Sequence, residues 1–244
     1  VKQMVQTSHQ VFLVLGLFKN SSFREAKDSF LGIAKHRINY IELEALASNF
    51  ETQLLSLNVQ IGDRVALYLP KSPETIAAII GTLCVGAAYV PIDLSLPTLR
   101  VINVLENCKP KVLISNSASL AELKNNSWVE NIKVVILDLP WTAGTHADHS
   151  KRQSHRSIPE SALAYILYTS GSTGKAKGIM MPHQPLINLL LWHQRHNQLP
   201  VGSKTIQFAS LSFDVSFQDI FSTMISGGTL ILITEEQRDQ LEKL

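Results

Sequence analysis

Cysteine, charge and long hydrophobic runs are all scarce in this sequence, and each shortage removes a class of protein. The two cysteines, Cys84 and Cys108, stand far apart with no C-x-x-C spacing. They offer neither a disulfide framework nor a cysteine metal site, and they fit a reducing, cytoplasmic setting. Both read as fillers of apolar space. Charged residues make up 17% of the chain and the net charge is +2. That balance does not favour nucleic acid or an anionic membrane surface. Residues 11–18 are apolar but far too short to span a bilayer, and no small-residue cleavage site follows them. They read as a segment that docks on the domain. A second uncharged stretch, 76–92, is split by Gly86 and Pro91 into a helix and a strand. The Walker phosphate-loop pattern is missing too. Against these shortages stands a hydrophobic content of 45% over 244 residues, enough for a sizeable core.

A different glycine-rich loop is present. Residues 168–178 read Tyr-Thr-Ser-Gly-Ser-Thr-Gly-Lys-Ala-Lys-Gly. The apolar runs 162–167 and 179–181 on either side read as buried strands. Glycine lets a backbone approach a bulky anion and adopt positive φ. Successive N–H groups then form a concave anion site. Hydroxyls and lysine add donors and charge suited to a polyphosphate. Clusters of Gly, Ser and Thr are more often linkers, but a linker rarely separates two apolar strands.

The rest of the chain alternates. Asn39 and Glu42 have capping-box spacing, and Leu43, Leu46, Ala47, Phe50, Leu54 and Leu57 follow at helical intervals. A strand over 64–69 precedes a helix with Ser72 as N-cap and Pro73 at its first turn, ending at Gly86. Leu99, Ile102 and Leu105 mark another helix, then come a strand at 111–115, a short helix near 118–123 and a strand at 132–137. Residues 138–161 are polar; their histidines, His146, His149 and His155, lack any periodicity that would aim them at one metal, so the segment reads as a solvated connector. A helix opens at 182–185, carrying Leu186, Leu189, Leu190 and His193. His183 has nothing to orient it as a general base and reads as a capping or packing residue. Strands at 204–209 and 229–233 flank a helix beginning near 212, and 235–244 reads as the start of another helix. This order predicts an α/β fold of layered parallel or mixed sheets flanked by helices. It divides into 1–137, the connector 138–161, and 162–244.

In the helix near 212, Phe217, Ile220, Phe221 and Met224 form one buried stripe. Asp214 and Gln218 lie one turn apart on another face with Val215 and Ser222. Asp214 reads equally as a helix N-cap or as a carboxylate awaiting a cationic partner.

Four stretches together resemble one family. Residues 168–178 are similar to the Y-T-S-G-S-T-G-x-P-K-G signature of adenylate-forming enzymes, specifically the amino-acid adenylation domains of nonribosomal peptide synthetases. Ala176 stands where that signature has proline. Residues 86–93, Gly-Ala-Ala-Tyr-Val-Pro-Ile-Asp, resemble the family's second core motif, the start of the Tyr40 helix resembles the first, and Phe213-Asp214-Val215-Ser216 resembles the fourth. The resemblance runs over about residues 25–244. It implies the large N-terminal domain of that family, an ATP and Mg²⁺ requirement, and an aminoacyl adenylate passed to a carrier-protein phosphopantetheine thiol.

It also assigns roles. Thr169, Ser170, Gly171, Ser172, Thr173, Gly174 and Lys177 would hold the β- and γ-phosphates, with Lys175 solvated. Asp214 would hold the substrate α-ammonium beside Phe213, and Val215 and Gln218 would select the side chain. Asp-Val-Gln resembles the opening of the family's proline pattern. No catalytic residue is assigned within this chain. The family's adenine-binding motif, Mg²⁺-ligating glutamate, ribose-binding aspartate, hinge and catalytic lysine find no counterpart here. The expectation is therefore a truncated or partial enzyme with little activity alone. The competing readings are an acyl- or aryl-CoA ligase relative and a non-catalytic fragment.

Overall fold

Local chemistry starts the helices where the sequence analysis places them. Asn39 Oδ1 accepts the Glu42 N–H (2.9 Å), and Glu42 Oε2 accepts the Asn39 N–H (2.7 Å). This reciprocal cap opens α1 (Tyr40–Ser56). Ser72 Oγ accepts the Thr75 N–H (3.1 Å) to open α2 (Pro73–Cys84), with Pro73 in its first turn. Just past α2, Gly86 takes a φ of +80°, which ends the helix without a Cβ penalty. The computed structural model describes residues 30–33, 36–123, 126–138, 157–170, 176–196, 200–234 and 237–238. Residues 11–18, the three connector histidines and most of 235–244 lie outside that set.

Two sheets organise these residues. The larger contains β3 (Arg64–Tyr68), β4 (Ala88–Pro91), β5 (Val112–Ser115), β6 (Lys133–Ile136), β7 (Leu163–Ser170) and β8 (Ala176–Pro182) in the order β6-β5-β3-β4-β7-β8. All neighbours are parallel except the β7–β8 hairpin. The connector 138–161 thus joins two strands of one sheet. The smaller sheet has the order β2-β1-β10-β9, from β1 (Phe30–Ile33), β2 (His36–Asn39), β9 (Lys204–Gln207) and β10 (Thr229–Leu232). Helices α3 (Thr98–Cys108), α4 (Ser117–Ala121), α5 (Ser127–Glu130), α6 (His183–Arg195) and α7 (Asp214–Ile225) complete the set.

Side chains alternate across β3 and so feed two cores. Val65 and Leu67 join residues of α1, α2, α6 and α7 on one face. Ala66 and Tyr68 join residues of α3 on the other. Leu230 and Leu232 of β10 belong to the first core, which places a layer of helices between the two sheets. Cys108 lies in the second core as a free thiol whose pKa burial pushes up to about 12, so it is inert filler.

Several expectations need correction. Ile179 and Met180 are exposed, not buried, because β8 is the outer strand of its sheet. Leu99 is exposed too: α3 turns Val101, Ile102, Val104, Leu105 and Cys108 to the core. Ser222, placed on one face with Asp214, Val215 and Gln218, is buried while Asp214 and Val215 are exposed. The strands β1 and β2 were not foreseen at all. Among the described residues no helix is long and apolar enough to cross a membrane.

Where α1 crosses α2, a Cβ added at Gly81 would meet Phe50 Cβ at 2.6 Å and the Ala47 carbonyl oxygen at 2.8 Å. Helix propensity alone would make Gly81→Ala favourable by about 1 kcal/mol. The clash reverses the sign, and we expect the variant to lose about 1–3 kcal/mol in a denaturant titration.

Candidate functional site

The candidate site lies at the carboxyl edge of the larger sheet, outside the strand ends where open α/β sheets leave a crevice. β7 runs toward this edge parallel to β4, and β8 returns from it. Their ladder pairs Thr169 with Lys177 and Ser170 with Ala176. The turn between them joins Ser170 to Ala176. Gly171, Ser172, Thr173, Gly174 and Lys175 in that turn lie outside the described residues. Thr169 and Lys177, both exposed, face each other at its mouth.

Helix α3 fastens the hairpin. Tyr168 Oη donates to Asn107 Oδ1 (2.6 Å), and Arg100 Nη2 donates to the Thr169 carbonyl (3.5 Å). Burial pushes the Tyr168 phenol up to about 12, so it remains a donor at neutral pH. The ring lies over its ladder partner: a Cβ at Gly178 would stand 3.0 Å from Tyr168 Cζ. Glycine is needed there for packing. Sequence analysis missed Arg100 and Asn107; their spacing on one amphipathic helix carries no sign that they reach a strand about 60 residues away. Two cations, Arg100 and Lys177, thus flank a loop mouth suited to a polyanion.

The second part of the site is the start of α7. Asp214 is its first residue and is exposed, while the N-cap position belongs to Phe213 with no side-chain cap bond. Asp214 Oδ1 accepts the Val215 N–H (2.8 Å). One carboxylate oxygen thus serves a first-turn N–H, although Asp214 is not the N-cap residue. Phe213 and Val215 are exposed and Gln218 is half-buried, while Phe217, Ile220, Phe221 and Met224 form the expected buried stripe.

Tyr165 of β7 links the two parts. Its phenol is pushed up to about 12, first by burial and then by the charge of Asp214. Its ring packs 5.8 Å from Phe217 and 5.6 Å from Tyr89. The α7 helix and the β7–β8 hairpin thus meet at Tyr165. His183, by contrast, is fully buried at the opposite end of the hairpin, and neither ring nitrogen has a hydrogen-bond partner among the described residues. Pro182, not His183, holds the N-cap position of α6. Of the two roles expected for His183, capping fails and packing holds.

The β7–β8 hairpin and the exposed Asp214 carboxylate thus lie on one edge of a layered α/β fold. Residues 20–244 match the family described as AMP-binding enzyme, and the chain belongs to it. Among its curated relatives are malpinin synthetase of Mortierella alpina, 33% identical over 228 residues and 93% of this chain, and bacitracin synthase 1 of Bacillus licheniformis, 32% identical over 229 residues and 93% of this chain. The chain spans only 3% and 4% of those two proteins. In fold it resembles a four-domain nonribosomal peptide synthetase bound to AMP and glycine, with a TM-score of 0.75 at 24% identity over 94% of this chain and 16% of that one. It also resembles VinN in complex with L-aspartate, with a TM-score of 0.78 at 22% identity over 90% of this chain and 57% of that one.

Proposed function

We propose that the protein activates an amino acid as its aminoacyl-AMP, with release of pyrophosphate, for loading onto a carrier-protein thiol in nonribosomal peptide synthesis. The observation that carries this reading is Asp214, an exposed carboxylate that is not the N-cap residue, on a helix whose Phe217 packs against Tyr165 of the strand that leads into the glycine-rich loop. A carboxylate there separates an amino acid from the substrates of acyl- or aryl-CoA ligases, which bring no α-ammonium.

In this reading Asp214 binds and orients the ammonium, while Phe213, Val215 and Gln218 line the side-chain pocket. Thr169 to Gly174 and Lys177 hold the triphosphate tail, and Arg100 adds charge at the loop mouth. Bound ATP supplies the electrophilic α-phosphate and the pyrophosphate leaving group. Among the described residues no group of three or more His, Cys, Asp or Glu is placed to hold a metal ion. Mg²⁺ commonly binds through substrate phosphates, and here it would arrive with the nucleotide. The amino acid is proline, by the Asp214, Val215, Gln218 combination, and a sequence with only two cysteines, far apart, suits a cytoplasmic setting.

ATP–pyrophosphate exchange by the full-length protein, driven by a panel of amino and acyl acids, tests this. We expect exchange only with amino acids and most with proline. A preference for a bulky aromatic ends the proline assignment; exchange driven by des-amino acids ends the amino-acid reading. The loop carries its own prediction. Lys177 is set in register by the ladder, so Lys177→Ala should weaken exchange by about 10-fold or more, the worth of one charge-assisted hydrogen bond. Lys175→Ala should stay within about 2-fold, as expected of a solvated charge. Equal losses would refute these roles.

A further inference from the structure

Asp214 needs something to hold it. Residues 208–213, which lead from β9 to α7, form no regular element. They are tied instead to the ends of two adjacent strands of the other sheet. Beyond β3, Lys71 is only 9% exposed; its Nζ donates to the carbonyls of Phe208 (2.9 Å) and Gln207 (3.4 Å). At the end of β4, Ser212 Oγ donates to the Pro91 carbonyl (3.3 Å). Two residues further, Asp93 Oδ2 accepts from Ser210 Oγ (2.5 Å).

Asp93 is itself held. Its Oδ1 accepts from Ser95 N (2.9 Å) and Ser95 Oγ (2.7 Å). Burial works against its ionisation, but the bonds from Ser210 and Ser95 and the charge of Arg238 outweigh it and lower its pKa. Lys71 reaches α7 as well. Burial raises the pKa of Asp219, one turn beyond Val215, and the charge of Lys71 opposes that rise. Burying an ammonium is costly, and an apolar side chain of similar size would pack more cheaply. A lysine here is explained by what its directional donors fix.

We infer that Lys71 and the Asp93–Ser210 pair are positioning residues, which set the start of α7 and with it the Asp214 carboxylate relative to the phosphate hairpin. The inference rests on the reading of Asp214 as the ammonium partner. Neither Lys71 nor Asp93 touches substrate. They act through the segment between β9 and α7. Their weight comes from geometry, since a misplacement of about 1 Å at a reacting centre is enough to cost on the order of 100-fold in rate.

The test uses the full-length protein in the exchange assay with Ser210→Ala, Ser210→Thr, Lys71→Met and Asp214→Asn. Ser210→Ala and Lys71→Met should raise KM for the amino acid by about 10-fold, with KM for ATP within about 2-fold. They should also lower the preference for the amino acid over its des-amino analogue by about 10-fold, a ratio that mere loosening of the fold would leave alone. Ser210→Thr keeps the hydroxyl and should restore wild-type values. Should Lys71→Met fail to fold, the Ser210 pair decides alone. If Asp214→Asn impairs the amino acid while Ser210→Ala leaves both its KM and the preference ratio unchanged, the inference fails and the function stands. If Asp214→Asn leaves the amino acid unaffected, both fall.

Discussion

Asp214→Asn in the full-length protein is expected to lower kcat/KM for the amino acid by about 100-fold or more while leaving ATP binding unchanged. Asparagine keeps the size and the acceptor oxygen of aspartate but loses its charge. An oriented ion pair between a carboxylate and a partly desolvated ammonium is lost, and such truncations cost about 2–5 kcal/mol. The fold should tolerate the change. Asp214 is exposed, it supplies no side-chain cap, and its one bond to the Val215 N–H has an equivalent in asparagine. Only its charge at the positive end of α7 disappears, about 0.3–1 kcal/mol. Exchange kinetics measured beside thermal melting separate the two effects. An unchanged amino-acid KM would remove Asp214 from the site.

The second large effect is acid lability at His183. This side chain is fully buried, both ring nitrogens lack partners among the described residues, and burial lowers its pKa to about 4 from the usual 6.5. Its place in the first turn of α6 pushes the same way, because the helix N-terminus repels a cation. The folded protein therefore resists a proton that the unfolded chain accepts below about 6.5. His183 leaves stability intact above that pH, and stability is lost progressively as the pH falls toward about 4. Linkage puts the full loss at about 3 kcal/mol. Urea midpoints of the wild type should fall between pH 7.5 and pH 4.5, and the fall should be clearly shallower in His183→Leu. Parallel pH profiles for the two proteins would show that His183 does not carry the effect.

These two residues differ in how far the sequence revealed them. Asp214 was legible because its neighbours repeat a known motif, although spacing alone left it balanced between cap and ligand. The resemblance tipped that balance toward ligand, and the structure adds that Phe213 takes the N-cap position. The caps of α1 and α2 were also legible, since Asn39 with Glu42 and Ser72 with Pro73 act within four residues of each other. Local hydrogen bonds depend on local sequence, and so their signals are direct.

The misses share a different cause. β1 pairs with β10 about 200 residues away, and four residues with no clear alternation announce nothing by themselves. Ile179 and Met180 have the composition of a buried strand, but β8 has a neighbour on one side only. Lys71 and Arg100 read as ordinary solvated cations, and they meet their carbonyl partners only when distant segments pack.

By itself, then, the sequence determined the caps of α1 and α2, most of the alternation of strands and helices, a glycine-rich stretch between two strands and the membership of a family. Each of these rests on side chains and backbone within one or two turns of one another, where the energetics are local. The tertiary structure decided which strands are edges, which polar groups lie buried without partners, and how Asp214 is held beside the hairpin. Those outcomes depend on contacts between segments about 70 to 200 residues apart, whose cost in chain entropy is met only by the assembled core.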